Sequence, residues 1–142
     1  MKWHAFSLIS LLSLLLVAGS ATAQTIHVRG DIPFDFIVGN KTLPAGVYDL
    51  GSLQMADALL IEADNRKSSM MVISNAAETF RPADKTKLVF RRHGDQYFLA
   101  EIWVKGSQLG RELPKTSREK EVAREMAQDV TQQRVEIVAS LY

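Results

Sequence analysis

The sequence predicts a mainly β protein, an antiparallel sandwich or small barrel of about six to eight strands with one helix in its C-terminal region. Two observations lead to this prediction. Short runs in which apolar and polar side chains alternate recur along the chain, and turn-forming residues bound them. A single segment shows the apolar spacing of an amphipathic helix.

Residues 1–23 have the three parts of a secretory signal peptide. Lys2 makes the start positive, an apolar run extends from Phe6 to Val17, and small residues end in Ala21-Thr22-Ala23. Cleavage is therefore predicted before Gln24. An uncleaved membrane anchor is the alternative, but the apolar run is short for the ~20 residues that span a bilayer.

Cleavage would leave residues 24–142 as a single exported β-rich domain, located in the periplasm or outside the cell. The chain has no cysteine, so it can form neither a disulfide nor a lipid-modified cysteine, and no membrane anchor is expected after cleavage. The chain has 17 basic and 16 acidic residues, and loss of Lys2 brings the formal charge to zero. No nucleic-acid binding is expected, because it depends on clustered positive charge.

An aromatic-rich, hairpin-like unit follows the first strand. Phe34 and Phe36 lie two residues apart and would share one face of a strand. Leu43–Gly46 has the pattern of a type I turn, with proline second and glycine fourth. Tyr48 and Leu50 share a face again, so this unit is expected to supply aromatic core.

Four other runs are predicted to be strands, because their apolar residues alternate or form short buried runs. They are Thr25–Arg29, Leu59–Ile61, Ser69–Ile73 and Arg134–Leu141. Asp64-Asn65 is predicted to be a turn, because both side chains tolerate left-handed backbone geometry. The polar segment Asn75–Thr86 is predicted to be a loop, in which Phe80 either pins the loop to the core, the interpretation we favour, or lines a cleft. Lys105–Lys115 is predicted to be a turn-rich connection that contains Pro114.

The clearest hairpin is predicted around the loop His93–Asp95. A three-residue loop there would pair Phe90 with Phe98 and place Lys87 opposite Glu101, a favourable cross-strand charge pair. This register gives one clean apolar face, which consists of Leu88, Phe90, Phe98, Ala100 and Ile102.

The other face of the second hairpin strand would carry amphipathic aromatic side chains. Its residues are Tyr97, Leu99, Glu101 and Trp103. Aromatic residues on a half-polar face are typical of binding surfaces, so Tyr97 and Trp103 are the candidate ligand-facing residues. The alternative is that the helix covers this face and Trp103 belongs to the core.

The helix is predicted over residues 117–128. Thr116 and Glu119 have the spacing of a capping box, in which each side chain satisfies an exposed amide group of the other residue. Val122, Met126 and Val130 recur at a spacing of four and form a narrow apolar stripe. The charged side chains of the helix are of mixed sign and are expected to form a solvated face; they are Arg118, Glu119, Lys120, Glu121, Arg124 and Glu125.

The sequence lacks the usual patterns of catalytic and metal sites. After cleavage its histidines are His27 and His93, which lie far apart and outside any zinc-helix motif. A nucleophile elbow and an EF-hand spacing of acids are also absent. No catalytic residue, metal or cofactor is therefore predicted.

The predicted function is that of a non-catalytic exported β-domain with a binding or structural role, with an envelope component or a glycan as the ligand class considered. The alternative is a small glycan-directed hydrolase that uses Glu101 or another carboxylate, because Glu101 would lie beside Trp103 and sugars stack on aromatic rings. Pairing with Lys87 is the simpler explanation of Glu101. The partner and the oligomeric state stay open.

Three segments of the chain resemble a group of small exported proteins from soil bacteria of the acidobacterial type, a group without an assigned activity. The segments are IPFDFIVGNKTLPAGVYDL, KLVFRRHGDQYFLAEIWV and GRELPKTSRE. The patterns PFDF…VG…LPAG.Y and YFLAEIW within them carry the resemblance, which covers most of the chain after residue 23. The resemblance implies export and a similar overall shape, and it implies no site residues.

Overall fold

The computed structural model describes residues 25–53, 57–126 and 132–142. Within these ranges the chain is mainly β with one α-helix, which confirms the predicted fold class at that level. The predicted signal peptide, residues 1–23, lies outside the described residues. No helix in the described ranges is long and apolar enough to cross a membrane.

Eleven strands and one helix follow one another along the described residues. They are β1 (His27–Ile32), β2 (Phe36–Val38), β3 (Lys41–Leu43), β4 (Gly46–Ser52), β5 (Ala58–Ala63), β6 (Ser69–Ile73), β7 (Asn75–Glu78), β8 (Lys87–His93), β9 (Gln96–Trp103), β10 (Leu109–Glu112), α1 (Ser117–Met126) and β11 (Gln133–Leu141). The predicted count of about six to eight strands is too low, because strands of three or four residues show no recognisable periodicity.

The strands form one mixed sheet that curls into a half-barrel. Of the two architectures predicted, the sandwich is wrong, and the small barrel is approached only in part. Along the main path the order is β3-β2-β9-β8-β11-β1-β4-β5-β6, and β10 pairs with both β7 and β9. Only β2 and β9 pair in parallel among the described strands, where Ile37 meets Phe98. The other described pairs are antiparallel.

The core lies on the inner face of the curled sheet and contains the predicted aromatic unit. Phe36, Tyr48 and Leu50 are fully buried. The Tyr48 ring meets Phe36 edge-on at 5.0 Å, and its hydroxyl donates to the Pro44 carbonyl at 2.7 Å. Phe34 precedes β2 and is not part of a strand, so it does not share a strand face with Phe36 as predicted.

The predicted register of the β8–β9 hairpin is wrong. Phe90 pairs with Leu99, where Phe98 was predicted, and Lys87 does not pair with Glu101. The loop is one residue shorter than predicted. Its first residue is Gly94, whose positive φ of 63° is a conformation that glycine adopts without strain.

A β-bulge at Ala100 sets the faces of β9. Val89 pairs with Glu101, and the next residue, Phe90, pairs with Leu99, so Ala100 has no residue opposite it. The extra residue reverses the alternation of side chains along the strand. A hairpin with a short loop can therefore still bury Phe90 and Leu99 on the inner face.

The predicted face of Tyr97, Leu99, Glu101 and Trp103 is divided by the bulge. Tyr97 and Leu99 pack with the core on the inner face. Glu101 and Trp103 lie on the outer face, where their side chains are hydrogen-bonded to each other. The aromatic residues predicted to act together are therefore on opposite faces of the sheet.

The segment Asn75–Thr86 is not the continuous loop that was predicted. Its first residues form β7, which pairs with β10. Strand β10 lies within Lys105–Lys115, which was predicted to be a turn-rich connection. Phe80 is fully exposed, so it does not pin this segment to the core. The connection is instead held by hydrogen bonds, including one from the Gln108 side chain to the Phe80 carbonyl at 3.0 Å.

Helix α1 packs on the outer face of the sheet, against β8. Its start has one half of the predicted capping box, because the Glu119 N–H donates to the Thr116 hydroxyl at 3.2 Å, whereas the Glu119 carboxylate binds Arg91 and not the Thr116 N–H. The Glu119 side chain is only 1% exposed and turns toward Arg91, so it is not part of a solvated face as predicted. The predicted helix residues 127 and 128, and Val130 of the predicted stripe, lie outside the described residues.

Candidate functional site

Two donors hold the carboxylate of Glu101 on the outer face of the sheet. Arg134 on β11 binds it in a two-point manner, with Nη1–Oε1 at 2.8 Å and Nη2–Oε2 at 2.9 Å. The Trp103 indole N–H donates to Oε2 at 2.7 Å. Both oxygens of Glu101 are therefore engaged, and all three hydrogen bonds are charge-assisted because their acceptor is an ionised carboxylate.

The pKa of Glu101 lies below its ordinary value of 4.5. Burial by itself raises this pKa, but the hydrogen bonds from Arg134 and Trp103 and the positive charge of Arg134 lower it by more. The hydrogen bonds that Arg134 donates to Glu101 in turn raise the pKa of Arg134. Glu101 is thus ionised at neutral pH and is poorly suited to donate a proton.

These residues line a cleft of about 360 Å³ on the outer face, together with the connection Thr79–Asp84. Small-molecule sites usually have volumes of ~300–1,000 Å³, so the cleft can hold a small ligand or part of a larger one. Arg81, Lys87 and Arg134 bring positive charge to it. Arg81 makes no ion pair with any residue that the structure describes.

Trp103 contributes a limited surface to this cleft. It is 9% exposed, and it packs so closely on Gly110 that a Cβ there would lie 2.5 Å from its Cε3 atom. Tyr97 lies outside the cleft, where its ring stacks on Phe34 with centroids 3.8 Å apart. The structure therefore brings Trp103 and Glu101 together and keeps Tyr97 apart.

Lys87 has a different partner from the one predicted. Its Nζ lies 2.8 Å from Oε1 of Glu136 on β11, and Lys85 lies 3.6 Å from the other oxygen. The hydrogen bond from Lys87 holds the pKa of Glu136 below its ordinary value. Strand β11 therefore supplies both partners, Glu136 for Lys87 and Arg134 for Glu101.

A second concave region is an apolar groove beside β6, which we call the seam. Its volume is about 320 Å³, and its lining includes Met70–Ile73, Ile37, Phe98, Leu113 and Pro114. Met71 and Ile73 are 62% and 60% exposed, which is unusual for large apolar side chains on a strand. The seam is therefore a candidate interaction surface.

Among the described residues that line the seam, Glu119 is the one with an ionisable side chain. Its negative charge is balanced by Arg91. Arg91 binds it with Nε–Oε1 at 2.6 Å and Nη2–Oε2 at 3.0 Å. His93 Nε2 lies 3.2 Å from Oε1. The seam therefore presents a largely apolar lining with no unbalanced charge.

The structure offers no arrangement of ligands for a metal within the described ranges, where no group of three or more acidic, histidine or cysteine side chains converges. His93 is buried between Glu119 and the ring of Phe98, whose centroid lies 5.7 Å away. His27 is exposed at the start of β1, far along the chain from His93.

Sequence reasoning missed two residues on which these sites depend. Arg134 was predicted only as the start of a strand, and its partner Glu101 lies 33 positions away, so no local pattern links them. Pro114 was seen only as part of a turn-rich connection. A proline shortly after a strand does signal that the hydrogen-bond ladder ends there.

Comparison of the chain with protein-family models, with curated proteins and with solved structures found no match. The geometry of the cleft and the seam is therefore the basis for any functional proposal.

Proposed function

We propose that this chain is a non-catalytic exported β-domain that binds a glycan, in the cell envelope or outside the cell, in the Glu101–Trp103 cleft. The observation that carries the proposal is the state of Glu101, whose two oxygens are engaged by Arg134 and Trp103. An ionised carboxylate with no free oxygen supports recognition of a ligand rather than proton transfer to one.

The cleft lining favours a glycan that carries acidic groups, because it has three basic side chains, Arg81, Lys87 and Arg134, against two acidic ones, Asp84 and Glu101. Arg81 has no ion-pair partner among the described residues, whereas Lys87 and Arg134 are paired with Glu136 and Glu101. A ligand carboxylate could pair with Arg81 through a charge-assisted hydrogen bond. The hydroxyl groups of the sugar could bond to Asp84 and to the backbone of the Thr79–Asp84 connection.

Binding can be measured by the fluorescence of Trp103, which is the sole tryptophan once residues 1–23 are removed. We expect trigalacturonate to change this fluorescence and neutral cellotriose to bind less tightly. Arg81→Ala should weaken trigalacturonate binding about tenfold, the effect of losing one charge-assisted bond. Arg118→Ala, which removes an exposed arginine on α1, is the matched control and should bind as the unchanged protein does.

Two results would contradict the proposal. Failure of any acidic or neutral glycan in a broad panel to bind would remove the ligand class. Release of reducing ends from a glycan, abolished by Glu101→Gln, would instead support the small hydrolase considered from the sequence.

Export has its own test, because it is proposed from the sequence pattern alone. The mass of the protein recovered outside the cytoplasm should correspond to a chain that begins at Gln24. A recovered mass that still includes residues 1–23 would contradict cleavage.

A further inference from the structure

The backbone of β6 has one edge that no other strand of the described residues pairs with. The Ala63 N–H donates to the Ser68 carbonyl, and the Ser74 N–H donates to the Asp57 carbonyl. Residues 68 and 74 are therefore hydrogen-bonded on the side of β5. Every second residue of an antiparallel strand bonds to the same neighbour, so residues 70 and 72 also direct their N–H and C=O groups toward β5. The N–H and C=O groups of Ser69, Met71 and Ile73 therefore point away from β5.

The unpaired edge continues a ladder that already exists further along the chain. Strand β7 follows β6 after one residue and uses the same edge to pair with β10. This ladder stops where Asn75 pairs with Glu112. Extending its register would place Pro114 opposite Ile73, but proline has no N–H to donate. The chain leaves the ladder there, and the seam opens beside β6.

The unpaired edge also lacks the features that usually protect such an edge. Natural edge strands carry charged residues or proline, which discourage pairing with another chain. Ser69–Ile73 contains neither, and Met71 and Ile73 expose most of their side chains. An extended peptide can bond to the free backbone groups of this edge and place apolar side chains in the groove beside it. An acyl chain could fill the groove but would leave those backbone groups without hydrogen bonds.

We propose that the seam binds an extended peptide segment of a partner protein by strand addition, with the segment pairing to Ser69, Met71 and Ile73. The segment would carry apolar side chains at alternate positions and no charge where it lies in the seam, because the charge of Glu119 is already balanced by Arg91. Leu113 and Pro114 line the seam together with β6, and its volume of about 320 Å³ matches a short stretch of one extended chain. The matching edge of a second copy is joined to that copy's β5 and β7, which would have to approach the seam together with it.

The test is amide hydrogen exchange measured by NMR on the whole exported protein. The probe is a short peptide in which valine and threonine alternate between terminal lysines, and the control peptide has proline in place of each valine. We expect the amides of Ser69, Met71 and Ile73 to exchange quickly in the free protein. At about 1 mM probe their exchange should slow at least about tenfold, and the control peptide should have no effect.

Variants of Met71 show whether the protection arises at this edge. Met71→Pro removes one N–H that faces the seam and no bond to β5, so the protein should stay folded and lose probe binding. Met71→Lys places a charge at the same position and serves as a second variant. Val138→Lys changes an equally exposed apolar residue on β11, which is paired on both sides, and should retain binding.

Three results would overturn the proposal. The first is an absence of protection at the highest probe concentration. The second is protection that rises with protein concentration without any probe, which would assign the edge to a second copy. The third is binding of a fatty acid in the seam that leaves the three amides unprotected. None of these results bears on glycan binding at the Glu101–Trp103 cleft.

Discussion

Arg91 on β8 and Glu119 on α1 form a buried two-point ion pair, with Nε–Oε1 at 2.6 Å and Nη2–Oε2 at 3.0 Å. The two residues are 6% and 1% exposed. Arg91 also donates to the Leu113 carbonyl at 3.1 Å, so the same guanidinium binds the segment that leads into the helix. This pair is the main polar link between α1 and the sheet.

The first prediction is that Glu119→Ala strongly destabilises the fold. The substitution leaves Arg91 buried without a counter-ion, which typically costs ~3–5 kcal/mol. Urea unfolding should show a lower midpoint with an unchanged slope. Glu121→Ala, an exposed change on the same helix, should shift stability by no more than about 0.5 kcal/mol. Equal stability of the two variants would show that the pair does not hold the helix.

The second prediction concerns the contact between Trp103 and Gly110. In Gly110→Ala the new Cβ would lie 2.5 Å from Cε3 of Trp103 and 2.6 Å from the Ile102 carbonyl oxygen. We expect a loss of ~1–3 kcal/mol from overpacking and a shift in Trp103 fluorescence as the ring moves. Gly106→Ala is the control, because nothing lies within 4 Å of its Cβ position. It has a positive φ, so it should cost some stability without shifting the emission.

The third prediction is that Phe80 contributes little to stability. The side chain is fully exposed, so Phe80→Ser should change the free energy of unfolding by at most about 0.5 kcal/mol. Phe36→Ala removes a fully buried ring and should cost ~3–5 kcal/mol. A large loss of stability in Phe80→Ser would restore the role predicted from the sequence, in which this ring pins the loop to the core.

The parts of the fold that follow from local chemistry could be predicted from the sequence. Ser69–Ile73 is β6 as predicted, because alternation marks a half-buried strand. The Thr116–Glu119 spacing marked the start of α1, because capping depends on residues three positions apart. The burial of Tyr48 and Leu50 likewise followed from their shared face.

The parts that depend on distant partners could not be predicted. The bulge at Ala100 is fixed by how β9 packs against β8 and the core, and it changed which residues share a face with Trp103. The charged residues next to Glu119 in the sequence are typical of a solvated helix. Its burial is explained by Arg91, which lies on a different element. The candidate cleft was therefore predicted in part: Glu101 and Trp103 belong to it, and Tyr97 does not.

The fourth prediction concerns the dependence of stability on pH. The pKa of Glu101 is lower in the folded protein than its ordinary 4.5, so the ionised form stabilises the fold at pH values above 4.5. This contribution falls as the pH drops below 4.5 and through the lower folded pKa. The difference in stability between the unchanged protein and Glu101→Gln should therefore shrink over that range. A difference that stays constant with pH would contradict the ionic link to Arg134.

The central claim, that Glu101 is an ionised member of a binding cleft and not a general acid, is tested most directly by an NMR titration of the Glu101 side-chain carboxyl carbon. The expected midpoint lies below 4.5, and Arg134→Gln should move it upward. A midpoint well above 4.5 would mean that Glu101 can hold a proton near neutral pH as a general acid does, and it would contradict the account.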